Sequence, residues 1–182
     1  MHVLGILVEN EPGVLARIAG VFGRRGFNIE SLAVGACANP GLARMTVRLN
    51  ADERSAQRLC RHIDNLINVL EVKILPDRQR VSRELALIKV YTGEGRQGDV
   101  LSLAEEFGAL VVDVGLRTVM LEISGSGEKV PSFIEALGDF TILEVARTGE
   151  IALTRGRDSL GERNTEAARS AAERAIREGG GL

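Results

Sequence analysis

The chain has 182 residues, enough for one medium-sized domain or two small ones. Apolar residues make up 45% of it and charged residues 26%, but aromatic residues only 3%, so a buried core must be built mainly from aliphatic side chains. A formal net charge of −2, with no apolar run near the roughly 20 residues of a membrane span, argues against nucleic-acid or membrane binding and predicts a cytoplasmic protein.

The first 76 residues predict the order strand, helix, strand, strand, helix, strand. Pro12 is expected in the first turn of the first helix, which ends at Gly26. Asp52 or Ser55 can cap the second helix, whose apolar stripe extends to Ile67. The four predicted strands cover residues 3–8, 28–37, 42–50 and 69–75.

The same order returns after a polar stretch that reads as a linker. The sequence VLEV at 69–72 and the sequence ILEV at 142–145 occupy the same place in the two halves, which indicates an internal repeat of domain size. The predicted organisation is a first domain over 1–76, a linker over 77–83, a second domain over 84–156 and a charged tail, helical or disordered, over 157–182.

Each repeat is a βαββαβ unit, so the predicted fold is α+β with two tandem ferredoxin-like domains. Right-handed crossovers place both helices on one face of a four-stranded antiparallel sheet. The other face is then expected to be bare, and the second strand to lie at an edge of the sheet. Such surfaces predict an oligomer, most simply a two-fold dimer.

No catalytic or metal-binding motif is recognisable in the sequence. Cys60 falls on an apolar helical stripe and is expected to be a core residue, and Cys37 has no His or Asp near it in sequence. We therefore predict no catalytic residue, no metal site and no cofactor in this chain.

Two features of the sequence bear on nucleotide binding. Gly93, Gly95 and Gly98 form a GxGxxG sequence between a strand and a helix, but the next strand turns back as a hairpin, which does not fit a dinucleotide fold. RNA-recognition domains share the topology but need aromatic side chains on the central strands, which are absent from 3–8 and 45–49.

The corner after the first strand is better suited to a small ligand. A helix N-terminus attracts a carboxylate, and Gly13 allows a close approach to the backbone. Asn10 and Asn28 can bind both a carboxylate and an ammonium group, and Ile29 adds backbone groups. The alternative interpretation, an Asn cap before a proline helix start, is equally compatible with the spacing.

At this corner the chain resembles an ACT domain, and more specifically the small (regulatory) subunit of acetolactate synthase, also called acetohydroxyacid synthase. The resemblance covers residues 1 to about 156 and includes both domains. The motifs that carry it are ENEPGVL at 9–15, RGFNIESL at 25–32, RMT at 44–46, RELALIKV at 83–90 and ILEVARTG at 142–149.

The resemblance implies a non-catalytic subunit that activates a catalytic subunit and confers feedback inhibition by valine, with leucine and isoleucine as further candidate effectors. Thiamine diphosphate, Mg²⁺ and FAD are expected on the catalytic partner. The effector site is implied at a homodimer interface of the first domains, with residues from both protomers. One protomer would supply Asn10, Gly13, Val14 and Leu15, and the other Asn28 and Ile29.

Two alternatives remain at this stage. The first is a free-standing ACT-type amino acid sensor for another enzyme or a transcriptional circuit. The second is a nucleotide-binding enzyme that uses Gly93–Gly98. The resemblance of the second domain argues against a free-standing sensor.

Overall fold

The computed structural model describes residues 1–161, which form two compact units. The first unit contains Met1–Val81 together with the chain from Ala152 onward, and the second contains Ser82–Ile151. Both units combine an antiparallel sheet with two helices, so the predicted α+β class is confirmed. Within residues 1–161, no helix has the length and apolar character needed to cross a membrane.

The first unit has the strand order β2-β3-β1-β4. Strand β2 lies at an edge, as the sequence predicted. Alternate side chains of the central strands, such as Leu4, Ile6 and Val47, are fully buried against the helices because successive strand residues point to opposite faces. Its elements are β1 (His2–Glu9), α1 (Val14–Arg24), β2 (Ile29–Ala36), β3 (Leu42–Leu49), α2 (Glu53–Asp64) and β4 (Val69–Ile74).

The second unit repeats this topology with the strand order β6-β7-β5-β8. Its core contains Ile88, Leu121 and Phe133, all fully buried. The predicted linker, 77–83, contains a 3-10 helix over Asp77–Gln79 and the beginning of β5. The remaining elements are β5 (Arg80–Tyr91), α3 (Gln97–Phe107), β6 (Leu110–Val114), β7 (Thr118–Gly125), α4 (Lys129–Ala136), a 3-10 helix (Leu137–Asp139), β8 (Thr141–Arg147) and β9 (Ile151–Thr154), which pairs with β5.

The face of the first sheet that is turned away from its helices is covered by the chain's own C-terminal segment, 152–161. The expectation of a bare face is wrong for this unit. The Arg44 guanidinium donates to the carbonyl of Ala152 at 2.8 Å, and the Lys73 ammonium donates to the carbonyl of Ser159 at 3.0 Å. The Gly161 N–H donates to the Glu71 carboxylate at 2.5 Å. Residues 157–161, expected to begin a tail, are therefore attached to the sheet, and 162–182 lie outside the described residues.

The corresponding face of the second sheet keeps exposed apolar side chains. Leu87 is 37% exposed and Tyr91 is 39% exposed. Both alternate along β5 with buried residues such as Ile88. In this unit the structure agrees with the predicted apolar face.

Helix α2 is shorter than its apolar pattern suggested. It ends at Asp64, and Asn65 occupies its C-cap position. Ile67, expected on the buried stripe, is 92% exposed in the turn that follows. Leu66 and Ile67 lie between the end of α2 and the apolar strand β4, so the apolar pattern runs on from helix to strand. Periodicity alone does not show where the helix ends.

The N-terminus of α2 provides a test of the fold. The Asp52 carboxylate accepts from the Ser55 N–H at 2.9 Å, and its hydrogen bonds to Ser55 lower its pKa. A lowered pKa stabilises the folded state above the unfolded value of about 3.9 and loses this effect as pH falls through the folded value. We therefore expect Asp52→Ala to lower the melting temperature at pH ~7, and to lower it by less at pH ~2, where protonation leaves the wild type only a neutral acceptor at the cap.

In the same thermal melts Asp52→Asn is the matched control, because its amide oxygen keeps an acceptor at the cap. It should retain most of the melting temperature at neutral pH. A loss with Asp52→Ala that is equally large in acid would contradict a role for the ionised carboxylate.

Candidate functional site

The chain leaves β1 through a tight turn over residues 11–14. Pro12 and Gly13 are its central residues, Gly13 has φ 85° and ψ −9°, and the Val14 N–H approaches the Glu11 carbonyl at 3.4 Å. These values describe a type II turn, which favours proline at its second position and needs a positive φ at its third. Pro12 therefore belongs to this turn, and not to the first helical turn as predicted, because α1 begins at Val14.

Helix α1 begins without a side-chain cap. Gly13 is the N-cap residue, and the first turn contains no acidic side chain. The N–H groups at a helix start have no partner within the helix and carry partial positive charge. Gly13 is exposed, so an anion can approach this backbone from solvent.

The four predicted effector residues at this end of β1 differ in exposure. Asn10 is exposed, and its backbone N–H is fixed by the Gly41 carbonyl at 2.7 Å. Leu15 is 43% exposed, whereas Val14 is 3% exposed and belongs to the core. A ligand here can reach the side chains of Asn10 and Leu15, but only the backbone of Val14.

The two other predicted residues, Asn28 and Ile29, lie at the start of the edge strand. Asn28 is exposed and its amide donates to Glu30 at 3.2 Å. Ile29 is half-buried and packs partly against the core of its own unit. Its backbone is more available to a ligand than most of its side chain.

The structure does not bring these two groups of residues together within one chain. Ile29 pairs with Leu49, which pairs with His2, whereas Glu9 lies at the other end of β1. At 3.2–3.4 Å per strand residue the two ends are about 23 Å apart. A single site containing Asn10 and Asn28 therefore requires a second copy of the chain.

A hydrogen-bonded cluster beside the turn was not predicted from the sequence. The buried amide of Asn68 donates to Glu9 at 2.7 Å and to Glu11 at 3.2 Å, and it accepts from Arg17 at 2.5 Å. Asn68 is far from Glu9 in sequence, and no motif connects them. The only sequence signal is a polar residue between α2 and an apolar strand.

The glycine-rich pattern does not occupy a dinucleotide-binding context. Gly93 and Gly95 lie in the turn before α3, and Gly98 lies inside that helix. The strand that follows α3 is β6, which is separated from β5 by β7. A dinucleotide fold places the two strands side by side and parallel, so this arrangement does not support nucleotide binding.

Among residues 1–161, no group of three potential metal-ligating side chains is close enough to hold an ion. Cys60 packs against the core, as predicted, and burial is the main reason why its pKa is raised to about 11. A thiol with this pKa is almost entirely protonated at neutral pH and is a poor nucleophile.

We expect Cys60 to resist alkylation. In a Cys37→Ser variant, iodoacetamide at pH ~8 should modify the remaining thiol about a hundredfold more slowly than a free cysteine, because little thiolate is present. Labelling can be followed by mass spectrometry, with the same variant in denaturant as the control. Equal rates in the native and denatured chain would contradict the assigned burial.

The two units are an ACT-type domain followed by a second ferredoxin-like domain, and the first has an exposed, uncapped helix start beside Asn10. Residues 4–71 match the AHAS small subunit-like ACT domain, and residues 83–156 match the family described as the small subunit of acetolactate synthase. The chain belongs to the acetolactate synthase small subunit family.

Individual relatives agree with this assignment. The chain is 40% identical over 156 residues to a probable acetolactate synthase small subunit of Methanothermobacter thermautotrophicus, covering 85% of this chain and 93% of that one. It is 41% identical over 160 residues to the acetolactate synthase small subunit of Mycobacterium bovis, covering 88% and 95%. The crystal structure of the small subunit from Thermotoga maritima superposes with a TM-score of 0.79 at 36% identity, covering 86% and 98%.

Proposed function

We propose that this chain is the regulatory subunit of acetolactate synthase. It binds the thiamine-diphosphate-dependent catalytic subunit in the cytoplasm, raises its activity and makes it sensitive to valine, an end product of branched-chain amino acid synthesis. Membership of the small subunit family supports the assignment of a catalytic subunit as the partner. The uncapped start of α1, exposed at Gly13 beside Asn10, is the observation that supports an amino acid effector.

The chemistry of the corner fits an α-amino acid. The N–H groups at the start of α1 would bind the valine carboxylate, and the amide oxygens of Asn10 and Asn28 would accept from its ammonium group. The exposed part of Leu15 would contact the isopropyl group. Since one methylene changes the binding free energy by only about 1–3 kcal/mol, leucine and isoleucine are expected to bind as weaker effectors.

The position of β2 at an edge of the sheet supports a site formed by two chains. If two β2 strands pair antiparallel across a two-fold axis, the start of one lies beside the end of the other. The end of β2 is connected through Ala36, Ala43 and Val8 to the end of β1 that carries Asn10. Asn28 of the partner subunit would then lie near Asn10, and symmetry would create two equivalent sites.

The test is calorimetric titration of the purified chain with L-valine, with D-valine as the control. We expect saturable binding near one L-valine per chain, weaker binding of L-leucine and L-isoleucine, and none of D-valine. Acetolactate formation by the cognate catalytic subunit should rise when the chain is added and fall again with L-valine. Valine binding without co-purification of a catalytic subunit would instead favour a free-standing amino acid sensor.

A further inference from the structure

Asn68 connects three side chains that surround the β1–α1 turn. Its amide nitrogen donates to Glu9 and Glu11, and its amide oxygen accepts from the Arg17 guanidinium. Its backbone carbonyl also accepts from the Glu9 N–H at 3.0 Å. Asn68 is 8% exposed, whereas Glu11 and Arg17 are exposed, so these bonds lie at the edge of the core with their Asn68 side shielded from water.

These partners are the immediate neighbours of the candidate effector residues. Glu9 and Glu11 flank Asn10 in sequence. Arg17 lies one helical turn after Gly13, and its guanidinium is 4.0 Å from the point where a Cβ on Gly13 would lie. The Asn68 side chain is therefore bonded to the residues on both sides of Asn10 and, through Arg17, to the helix that the turn begins.

The composition of the cluster explains why a neutral amide is required. Two carboxylates and one guanidinium meet at one position, and only an amide offers N–H donors to the acids and an oxygen to the Arg. An apolar residue would leave two acidic side chains without a shared donor and the guanidinium without its acceptor. The turn would then lose side-chain contacts on both sides of Asn10.

We propose that Asn68 is a positioning residue for the effector site: it holds the 10–13 backbone in the geometry that binds the ligand, through Glu9, Glu11 and Arg17. This inference rests on the proposed function for its ligand, but its structural part does not. Asn68 directly precedes β4, so the same bonds connect the turn that would bind the ligand to the edge strand opposite β2.

The test compares Asn68→Leu with Asn65→Leu in the same turn, where the side chain is exposed. Amide hydrogen exchange at Glu9 and Asn10, whose N–H groups donate to the Asn68 and Gly41 carbonyls, should accelerate about tenfold in Asn68→Leu, while exchange in the second unit stays unchanged. The valine dissociation constant should also rise about tenfold. Asn65→Leu should leave both quantities within about twofold of the wild type.

Asn68→Asp is the second variant and guards against misfolding. Its carboxylate keeps an acceptor for Arg17 but has no N–H to donate and adds a third negative charge beside Glu9 and Glu11, so its exchange rates and valine dissociation constant should rise at least as much as in Asn68→Leu. An Ile63→Val core variant provides a chain of lowered melting temperature with an intact cluster. If that variant loses as much valine affinity as Asn68→Leu at equal loss of melting temperature, Asn68 is merely structural.

The two proposals fail in different ways. Unchanged exchange and unchanged valine affinity in Asn68→Leu would overturn the positioning role while leaving the effector function intact. Absence of valine binding by the wild type would overturn the effector function. The exchange rates of Glu9 and Asn10 would still decide whether Asn68 positions the turn.

Discussion

Replacing Asn28 by His should weaken valine binding by at least about tenfold. A hydrogen bond to a charged group contributes about 1.5–3 kcal/mol, and the imidazole ring is also larger than the carboxamide it replaces. Asn28 is exposed and donates only a 3.2 Å bond to Glu30, so its loss should not affect folding. Calorimetric titration with L-valine measures the effect.

Asn65→His is the matched control, because Asn65 is also an exposed Asn of the first unit but lies in the α2–β4 turn. It should bind valine as the wild type does, and both variants should keep the wild-type melting temperature. If Asn28→His binds valine normally, the partner subunit's contribution to the site is wrong, although the turn at Gly13 could still bind a ligand.

A dimer of two different variant chains tests whether Asn28 and Gly13 reach the site from different protomers. When Asn28→His is combined with a Gly13→Val chain, whose β-branched residue cannot easily adopt a φ of 85°, each mixed dimer, purified from the two homodimers, should contain one site with both changes and one with neither. Half of the valine-binding capacity should then return. No recovery would show that Asn28 and Gly13 act within one chain.

The repeated βαββαβ order could be predicted because apolar runs in the strands and helical spacing in α1–α4 mark nearly every element. Leu4, Ile6 and Val8 alternate with residues of the opposite face, and all three belong to the first core. Boundaries were harder to predict where one apolar element follows another, as at Ile67. The Pro12-Gly13 pair was assigned to a helix start although it is equally typical of a type II turn.

The covering of the first sheet by 152–161 could not be predicted, because its attachments use backbone groups. The acceptors are the carbonyls of Ala152 and Ser159, and the donor is the N–H of Gly161. Every residue type offers these groups, so these hydrogen bonds leave no trace in the composition of the segment. A polar stretch after the last predicted strand is read as a tail for the same reason. Apolar contacts add to these hydrogen bonds, since Ala152 packs with Val3 and Leu160 lies against Gly5.

The residues of the candidate site also differ in whether the sequence identifies them. Asn10, Gly13, Asn28 and Ile29 could be proposed from their residue types at the predicted helix start and edge strand, and the resemblance added Val14 and Leu15. Asn68 could not be found, because its role depends on three contacts with residues that are distant in sequence from it. Long-range polar contacts leave no periodic pattern, whereas long-range apolar contacts do.

Replacing Arg147 by Leu should destabilise the second unit by about 2 kcal/mol. The guanidinium of Arg147 binds the Glu84 carboxylate with two hydrogen bonds, of 2.9 and 2.7 Å, which raise the pKa of Arg147. The Glu84 side chain is only 5% exposed, so its charge would remain buried without a partner. Removing one partner of a completely buried pair costs about 3–5 kcal/mol, but Arg147 is 36% exposed and water can partly replace it.

The free energy of unfolding, measured in urea, tests this value against two further variants. Arg117→Leu removes the exposed ion pair with Glu94 in the same unit and should change it by no more than about 0.5 kcal/mol. Arg147→Leu combined with Glu84→Gln removes both charges and should recover part of the loss, since an unpaired amide is less costly to bury than a carboxylate. If the double variant is no more stable than Arg147→Leu, the penalty arises from lost packing of the Arg stem and not from the buried charge.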